Sequence, residues 1–178
     1  GRLLSALLIE GGGALGMKVR VVATDGAQPV GRRIGPALEA RDVLAVLQGA
    51  SGTPSDLRER AARLAGEVLE LADHVPTGEG ITIARAILDD GRAWRKFQAI
   101  CEAQGGMRAP PRAAYTHSVI STRAGTVALI DNRRLARIAK LAGAPNSPAA
   151  GLELHTPVGA SVERGQPLFT VYAEASGE

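Results

Sequence analysis

Hydrophobic residues recur at helical spacing in several stretches of the chain, with polar residues between them. In residues 37–47, Leu38, Val43, Leu44 and Leu47 mark the face predicted to be buried. Similar periodicity predicts helices over residues 2–10, 55–73, 81–89, 93–103 and 133–142. Large side chains in residues 93–103, including Trp94, are expected to pack in the core. Asp131 is expected to cap the last helix.

Shorter stretches rich in β-branched residues predict strands. One covers residues 17–23, and others cover residues 115–122, 125–130, 151–154 and 158–173, the last with an internal turn. Helical periodicity gives way to strands across the glycine- and proline-rich residues 105–112. We therefore predict two domains, residues 1–108 and 109–178.

The sequence of residues 24–36 predicts a rigid loop between a buried strand and the second helix. Pro29 fixes its φ angle, while Gly31 and Gly35 allow backbone angles that other residues resist. Asp25 at its start is either a functional carboxylate or a turn cap. Glu39 and Asp42 lie three residues apart on the helix that follows, where solvent exposure is expected.

Residues 11–16 spell G-x-G-x-x-G, the fingerprint of many dinucleotide sites. That fingerprint must follow a strand and open a helix, because the pyrophosphate binds at the helix N-terminus. Here the glycines follow a predicted helix and precede a predicted strand. They are therefore interpreted as a turn that ends the helix.

Composition is that of an ordinary globular protein, with 45% hydrophobic and 22% charged residues in a chain of 178. Cys101 is the only cysteine, so an intrachain disulfide is impossible and a cytoplasmic location is expected. The apolar start is too short to span a bilayer, so no membrane partner is expected. Aromatic residues make up only 3%, which disfavours nucleic-acid binding. The basic face at Arg133, Arg134 and Arg137 is interpreted as solvated, with RNA contact as the lesser alternative.

Signatures of self-sufficient catalytic sites are absent from the sequence. There is no G-x-S-x-G, no G-x-x-x-x-G-K-[ST] and no H-E-x-x-H pattern. The three histidines lie far apart, without other metal-type ligands at diagnostic spacing. No catalytic residue is predicted within the chain.

The stretch TDGAQPVGRRIGPALEARDVL, residues 24–44, resembles a loop and helix of the pyrimidine-nucleoside phosphorylase family, in its thymidine phosphorylase and AMP phosphorylase branch. Further matches follow in family order at residues 89–93, 96–97, 104–106, 116–117, 125–132 and 135–145. The resemblance covers nearly the whole chain.

This resemblance implies a mixed α/β and α+β fold. A helical lobe with the remnant of an α/β domain would cover residues 1–108, and a small half-barrel domain of barrel-sandwich type would follow. The family's reaction is reversible phosphorolysis of pyrimidine nucleosides or nucleoside 5′-monophosphates, with phosphate as co-substrate and no organic cofactor. The family's phosphate loop and base-contacting residues would lie before Gly1, so this C-terminal part is expected to be inactive alone.

The resemblance also implies a potassium ion near the active site. Its ligands would be the backbone carbonyls of Val30 and Arg33 and the carboxylate of Asp42, where the family usually has glutamate. Oxygen ligands of this kind suit a hard cation.

Two further expectations concern partners. Residues 151–173 resemble a lipoyl- or biotinyl-type half-barrel, so a non-catalytic carrier or binding module is the alternative function. Such carriers need a lysine at an exposed hairpin tip, and no lysine follows Pro145. The predicted strand 17–23 would present an unpaired hydrophobic edge, from which a homo-oligomer is expected.

Overall fold

The computed structural model describes residues 1–176, which contain six α-helices and six short β-strands. The helices are α1 (Arg2–Ala14), α2 (Pro36–Gln48), α3 (Ser55–Leu71), α4 (Gly80–Asp89), α5 (Arg92–Ala103) and α6 (Asn132–Leu141). The strands are β1 (Arg33–Ile34), β2 (Tyr115–Ile120), β3 (Gly125–Thr126), β4 (Gly151–Leu154), β5 (Ser161–Val162) and β6 (Pro167–Ala173). The chain is thus a mixture of helices and small sheets, as predicted.

The strands form two antiparallel sheets. The larger has the order β1-β4-β6-β2, and the smaller pairs β3 with β5. In the larger sheet, Ile34 lies opposite Leu152, and Leu152 lies opposite Val171. The short β1 therefore ties the loop before α2 directly to the C-terminal strands. Closure of these strands into a half-barrel, like the boundary near residue 108, stays a prediction.

The hydrophobic core lies between α6 and β4. Its buried members are Leu135, Ala139, Ala144, Ala150 and Leu152. Leu135 and Ala139 lie four residues apart on α6, so they face the same side of the helix. Asp131 caps α6 as predicted, since its Oδ1 accepts hydrogen bonds of 3.0 Å from the backbone N–H groups of Arg133 and Arg134.

Two turns predicted from glycine and proline are confirmed. Helix α2 begins at Pro36 and ends before Gly49, whose φ of 63° is left-handed. Helix α1 runs into the glycine-rich segment as far as Ala14, and Gly16 follows with a φ of 73°. The G-x-G-x-x-G segment is therefore the end of a helix, as its sequence context indicates.

The strand predicted over residues 17–23 is wrong. Within the described part of the chain these residues pair with no other strand, and a strand needs a neighbour to satisfy its backbone groups. Instead, Lys18 forms an ion pair with Asp73, and Arg20 contacts Glu67 and Glu70 of α3 at 2.8 and 3.1 Å. Self-association, which was inferred from that strand edge, stays a prediction without its original basis.

Two predictions of burial are also wrong. Val43 is 41% exposed, whereas Asp42 is only 2% exposed, so α2 turns a carboxylate toward the interior. No residue of α5 is buried, and Trp94 stacks on Phe97 with ring centroids 6.0 Å apart. These two rings cover one another outside the core.

Within residues 1–176, no helix combines the length and apolar composition that crossing a bilayer requires.

Glu70 joins α3 to the start of α4. Its Oε1 accepts hydrogen bonds of 3.0 Å from the backbone N–H groups of Gly78 and Gly80, and its Oε2 contacts Arg20. The bond from Gly80 is the largest cause that holds the pKa of Glu70 below its ordinary value of 4.5. The charged carboxylate is therefore favoured in the folded state.

The stabilisation from Glu70 is expected to depend on pH. Because the folded-state pKa is lowered, its contribution is present above pH 4.5 and is lost as the pH falls through the folded-state value. Glu70→Gln should lower the unfolding temperature at pH 7 and reduce the difference between pH 7 and pH 3. Circular dichroism melts measure both, with the exposed Glu102→Gln as the control. An unchanged acid dependence in Glu70→Gln would contradict this prediction.

Candidate functional site

The loop before α2 is held by the C-terminal half of the chain. The backbone N–H of Val158 donates to Gln28 Oε1 at 2.8 Å, and that of Leu154 donates to the Arg32 carbonyl at 2.6 Å. The Asn132 amide donates to the Gly26 carbonyl at 2.9 Å. These three bonds fix the position of the loop against α6, β4 and the segment after β4.

Asp25 lies at the start of this loop and caps its turn. Its Oδ1 accepts a hydrogen bond of 2.9 Å from the backbone N–H of Ala27, two residues on. This geometry is the turn cap that was one of the two interpretations of Asp25. The side chain is therefore engaged locally.

Asp42 is the buried carboxylate of the site. Its Oδ2 accepts hydrogen bonds from the backbone N–H groups of Arg32 and Arg33, at 2.9 and 3.2 Å. Its Oδ1 accepts one from the Arg33 guanidinium, at 2.5 Å. A buried carboxylate needs such partners, because leaving its charge uncompensated is unfavourable. Asp42 thus fastens the loop to α2 through both oxygens.

Arg33 connects Asp42 to a second carboxylate. Its other guanidinium nitrogen lies 2.6 Å from Glu153 of β4, and the Tyr172 hydroxyl of β6 donates to Glu153 at 2.8 Å. Burial is the main cause that raises the pKa of the Tyr172 phenol, and the bond to Glu153 adds to it. We call this chain of side chains, Asp42, Arg33, Glu153 and Tyr172, the charge network.

Cavities lie on several sides of the loop. One of about 260 Å³ is lined by Val30, Arg33 and Asp42, so the three residues that were predicted to supply potassium ligands lie around one cavity. A second, of about 340 Å³, lies between the loop, the start of α3 and the segment around His155. The second volume is near the lower end of the range typical of ligand pockets, about 300 to 1,000 Å³.

The three residues line one cavity, but the present bonds of Asp42 do not fit a potassium ion. Both oxygens of Asp42 already accept hydrogen bonds, and a full positive charge lies against Oδ1. An ion there would have to displace the Arg33 guanidinium or share one carboxylate with it. Among residues 1–176, no cluster of three or more His, Cys, Asp or Glu side chains could hold a metal either.

Sequence reasoning missed Glu153 and Tyr172, which complete the charge network. The available signal was a single glutamate in the apolar strand sequence GLEL, residues 151–154. Alternation along β4 places Leu152 in the core and turns Glu153 to the opposite face, toward the loop. The spacing of residues along β4 gives no information about Arg33 and Tyr172, which contact Glu153.

The turn between β5 and β6 bears on the carrier alternative. It contains Glu163, Arg164, Gly165 and Gln166, so an acyl or biotinyl group would find no lysine there. Lys140 lies on α6 and is not part of that turn.

Comparison with known protein families places the C-terminal part of the chain. Residues 126–178 match the model of the pyrimidine nucleoside phosphorylase C-terminal domain. This match begins at β3 and includes α6, β4 and β6. It therefore contains Glu153 and Tyr172 of the charge network.

Relatives extend the similarity over nearly the whole chain. It is 60% identical over 176 residues to the "Putative thymidine phosphorylase" of Legionella pneumophila strain Paris, covering 99% of this chain and 34% of that protein. It is 59% identical over 175 residues to "Putative thymidine phosphorylase 2" of Acidovorax sp. strain JS42, covering 98% and 34%. The Polaromonas sp. protein of the same kind is 60% identical over 176 residues, covering 99% and 34%.

The chain spans about a third of the length of these curated relatives. The similarity includes the loop, α2 and the matched domain, which the charge network joins. Residues 126–178 are therefore similar to a pyrimidine nucleoside phosphorylase C-terminal domain, and nearly the whole chain is similar to part of proteins named "Putative thymidine phosphorylase".

Proposed function

We propose that this chain is the C-terminal part of a thymidine phosphorylase-like pentosyltransferase of the cytoplasm. The observation that carries the proposal is the 60% identity over 99% of the chain to a protein named as a thymidine phosphorylase. The domain match over residues 126–178 supports the same assignment.

The reaction of the whole enzyme is reversible phosphorolysis of a nucleoside. A phosphate oxygen attacks the anomeric carbon, the bond to the base nitrogen breaks, and the base leaves with that electron pair and takes up a proton. The products are a pentose 1-phosphate and the free base. The oxocarbenium-like transition state needs charge stabilisation and protonation of the leaving base. Pyrimidine nucleosides and nucleoside 5′-monophosphates are the substrate classes.

The 178-residue chain supplies scaffold to this reaction. In residues 1–176, the carboxylates of the charge network are engaged with Arg33, backbone N–H groups or Tyr172. Side chains held in this way position a loop and do not offer a free general base. The groups that bind phosphate and protonate the base belong to the rest of the enzyme.

The purified chain is expected to release no base from thymidine, uridine or thymidine 5′-monophosphate in the presence of phosphate. Liquid chromatography of the reaction mixtures measures the free base. The full-length protein that contains this chain should release base from at least one of these substrates, and only when phosphate is present. Phosphate-dependent release by the chain alone, or none by the full-length protein, would overturn the proposal.

A further inference from the structure

The Asp42 carboxylate is a buried anion, and what neutralises it decides whether the loop needs a bound ion. The Asp42 side chain is 3% exposed, and the Arg33 side chain that contacts it is 26% exposed. A carboxylate this deep in the protein is strongly destabilising without a positive partner. Arg33 Nη1 already lies 2.5 Å from Asp42 Oδ1.

We propose that Arg33 supplies the positive charge that neutralises Asp42, so that the loop closes on α2 without a bound potassium ion. The guanidinium takes the place of the ion that the family resemblance predicts. This inference depends on three side chains of the charge network and not on the proposed reaction.

The geometry of Arg33 suits a bridge that a single ion would not provide. Its planar guanidinium presents several donors in a fixed fork, and one nitrogen contacts Asp42 of α2 while another contacts Glu153 of β4. The same side chain therefore fastens α2 to the C-terminal sheet. Its backbone N–H also donates to Asp42 Oδ2, at 3.2 Å.

Further positive charge lies beside Glu153. The cavity of about 280 Å³ there is lined by Arg33, Arg41 and Arg112, together with Ala113, Glu153 and Tyr172. Arg33 also lines the cavity that contains Asp42, so the same guanidinium borders both carboxylates.

The first test compares salts on the wild-type chain. Thermal unfolding is followed by circular dichroism in potassium chloride and in tetramethylammonium chloride at equal ionic strength. We expect the two midpoints to agree within about 1 °C, whereas an ion bound at a hundred times its dissociation constant would raise the midpoint by about 5 to 10 °C. A potassium-specific rise of that size would overturn the proposal. So would a thallium(I) NMR signal that is broadened by the chain and restored by potassium.

The second test removes the guanidinium. Arg33→Met should lower the midpoint by about 6 to 20 °C, because it leaves a buried carboxylate without its charge partner. Arg32→Met is the matched control, because Arg32 is the neighbouring arginine and is exposed. It should change the midpoint by no more than about 2 °C.

A double variant keeps the second test decisive if Arg33→Met fails to fold. Arg33→Met/Asp42→Asn removes both charges and should melt above Arg33→Met, or fold where the single variant does not. A loss in Arg33→Met no larger than that in Arg32→Met would overturn the proposal. A double variant less stable than Arg33→Met would also overturn it.

Discussion

Replacement of Gly151 by alanine is expected to lower the free energy of unfolding by more than about 3 kcal/mol. The φ angle of Gly151 is 151°, and a Cβ placed there would lie 2.0 Å from the Ile34 carbonyl oxygen. That oxygen belongs to β1, whose pairing with β4 fixes its position. The backbone would have to separate the two strands to make room.

Gly35 lies at the same close approach of two backbones, on the opposite chain segment from Gly151. Its φ angle is 127°, and a Cβ there would lie 2.3 Å from the Ala150 carbonyl oxygen. Two backbones therefore pass so closely that neither can carry a side chain. Any residue other than glycine at these two positions would prevent the loop before α2 from approaching the start of β4 this closely.

Gly165→Ala is the matched control for Gly151→Ala. Gly165 also has a positive φ, of 87°, but nothing lies within 4 Å of its added Cβ. Its substitution should therefore cost only the backbone strain, about 1 to 2 kcal/mol. Urea denaturation of both variants measures the difference, which reports the steric clash alone. Equal losses in the two variants would show that the close approach of Gly151 to Ile34 adds no steric cost to the substitution.

Signals confined to a few neighbouring residues predicted much of the fold. Helix α6 combines an Asp131 cap with Leu135 and Ala139 at helical spacing, and it forms as expected. Helix α2 is bounded by Pro36 and Gly49 in the positions that their backbone angles favour. Each of these elements is specified by its own residues, so the sequence is sufficient to locate it.

Features that depend on distant residues were not predictable in the same way. The charged Asp42 is buried because the Arg33 guanidinium and two backbone N–H groups of the loop satisfy it. Helical periodicity assigns such a residue to solvent, since it contains no information about a partner outside the helix. Residues 17–23 have strand-like composition, but no strand lies beside them in residues 1–176. Composition indicates that a segment prefers the strand conformation, but it does not show whether another strand lies beside that segment.

The charge network and the close approach of Gly35 to Gly151 both lie where β1 pairs with β4. We call this place the junction. β1 pairs with β4, Gly35 and Gly151 pass each other there, and Arg33 of β1 contacts Glu153 of β4. The distance from Arg33 to Glu153 is therefore set by the strand pair that the glycines permit. A variant that separates the strands should also break the charge network, which links the stability of this junction to the position of the loop.

Leu152→Ala is expected to lower the free energy of unfolding by about 3 to 5 kcal/mol. Leu152 is 0% exposed and lies at the centre of the buried cluster. Its neighbours in that cluster include Ala139, Ala144 and Ala150, whose methyl groups are too short to refill the space. The cavity left by the substitution should therefore persist, which places the loss in the upper part of the usual range.

Leu141→Ala removes the same atoms from an exposed position. Leu141 is 69% exposed at the end of α6, so its truncation should change the free energy of unfolding by no more than about 0.5 kcal/mol. Urea denaturation of the two variants separates loss of buried volume from loss of leucine as such. Similar losses would mean that the space around Leu152 collapses on truncation, and that α6 and β4 are packed less rigidly than the cluster of alanines implies.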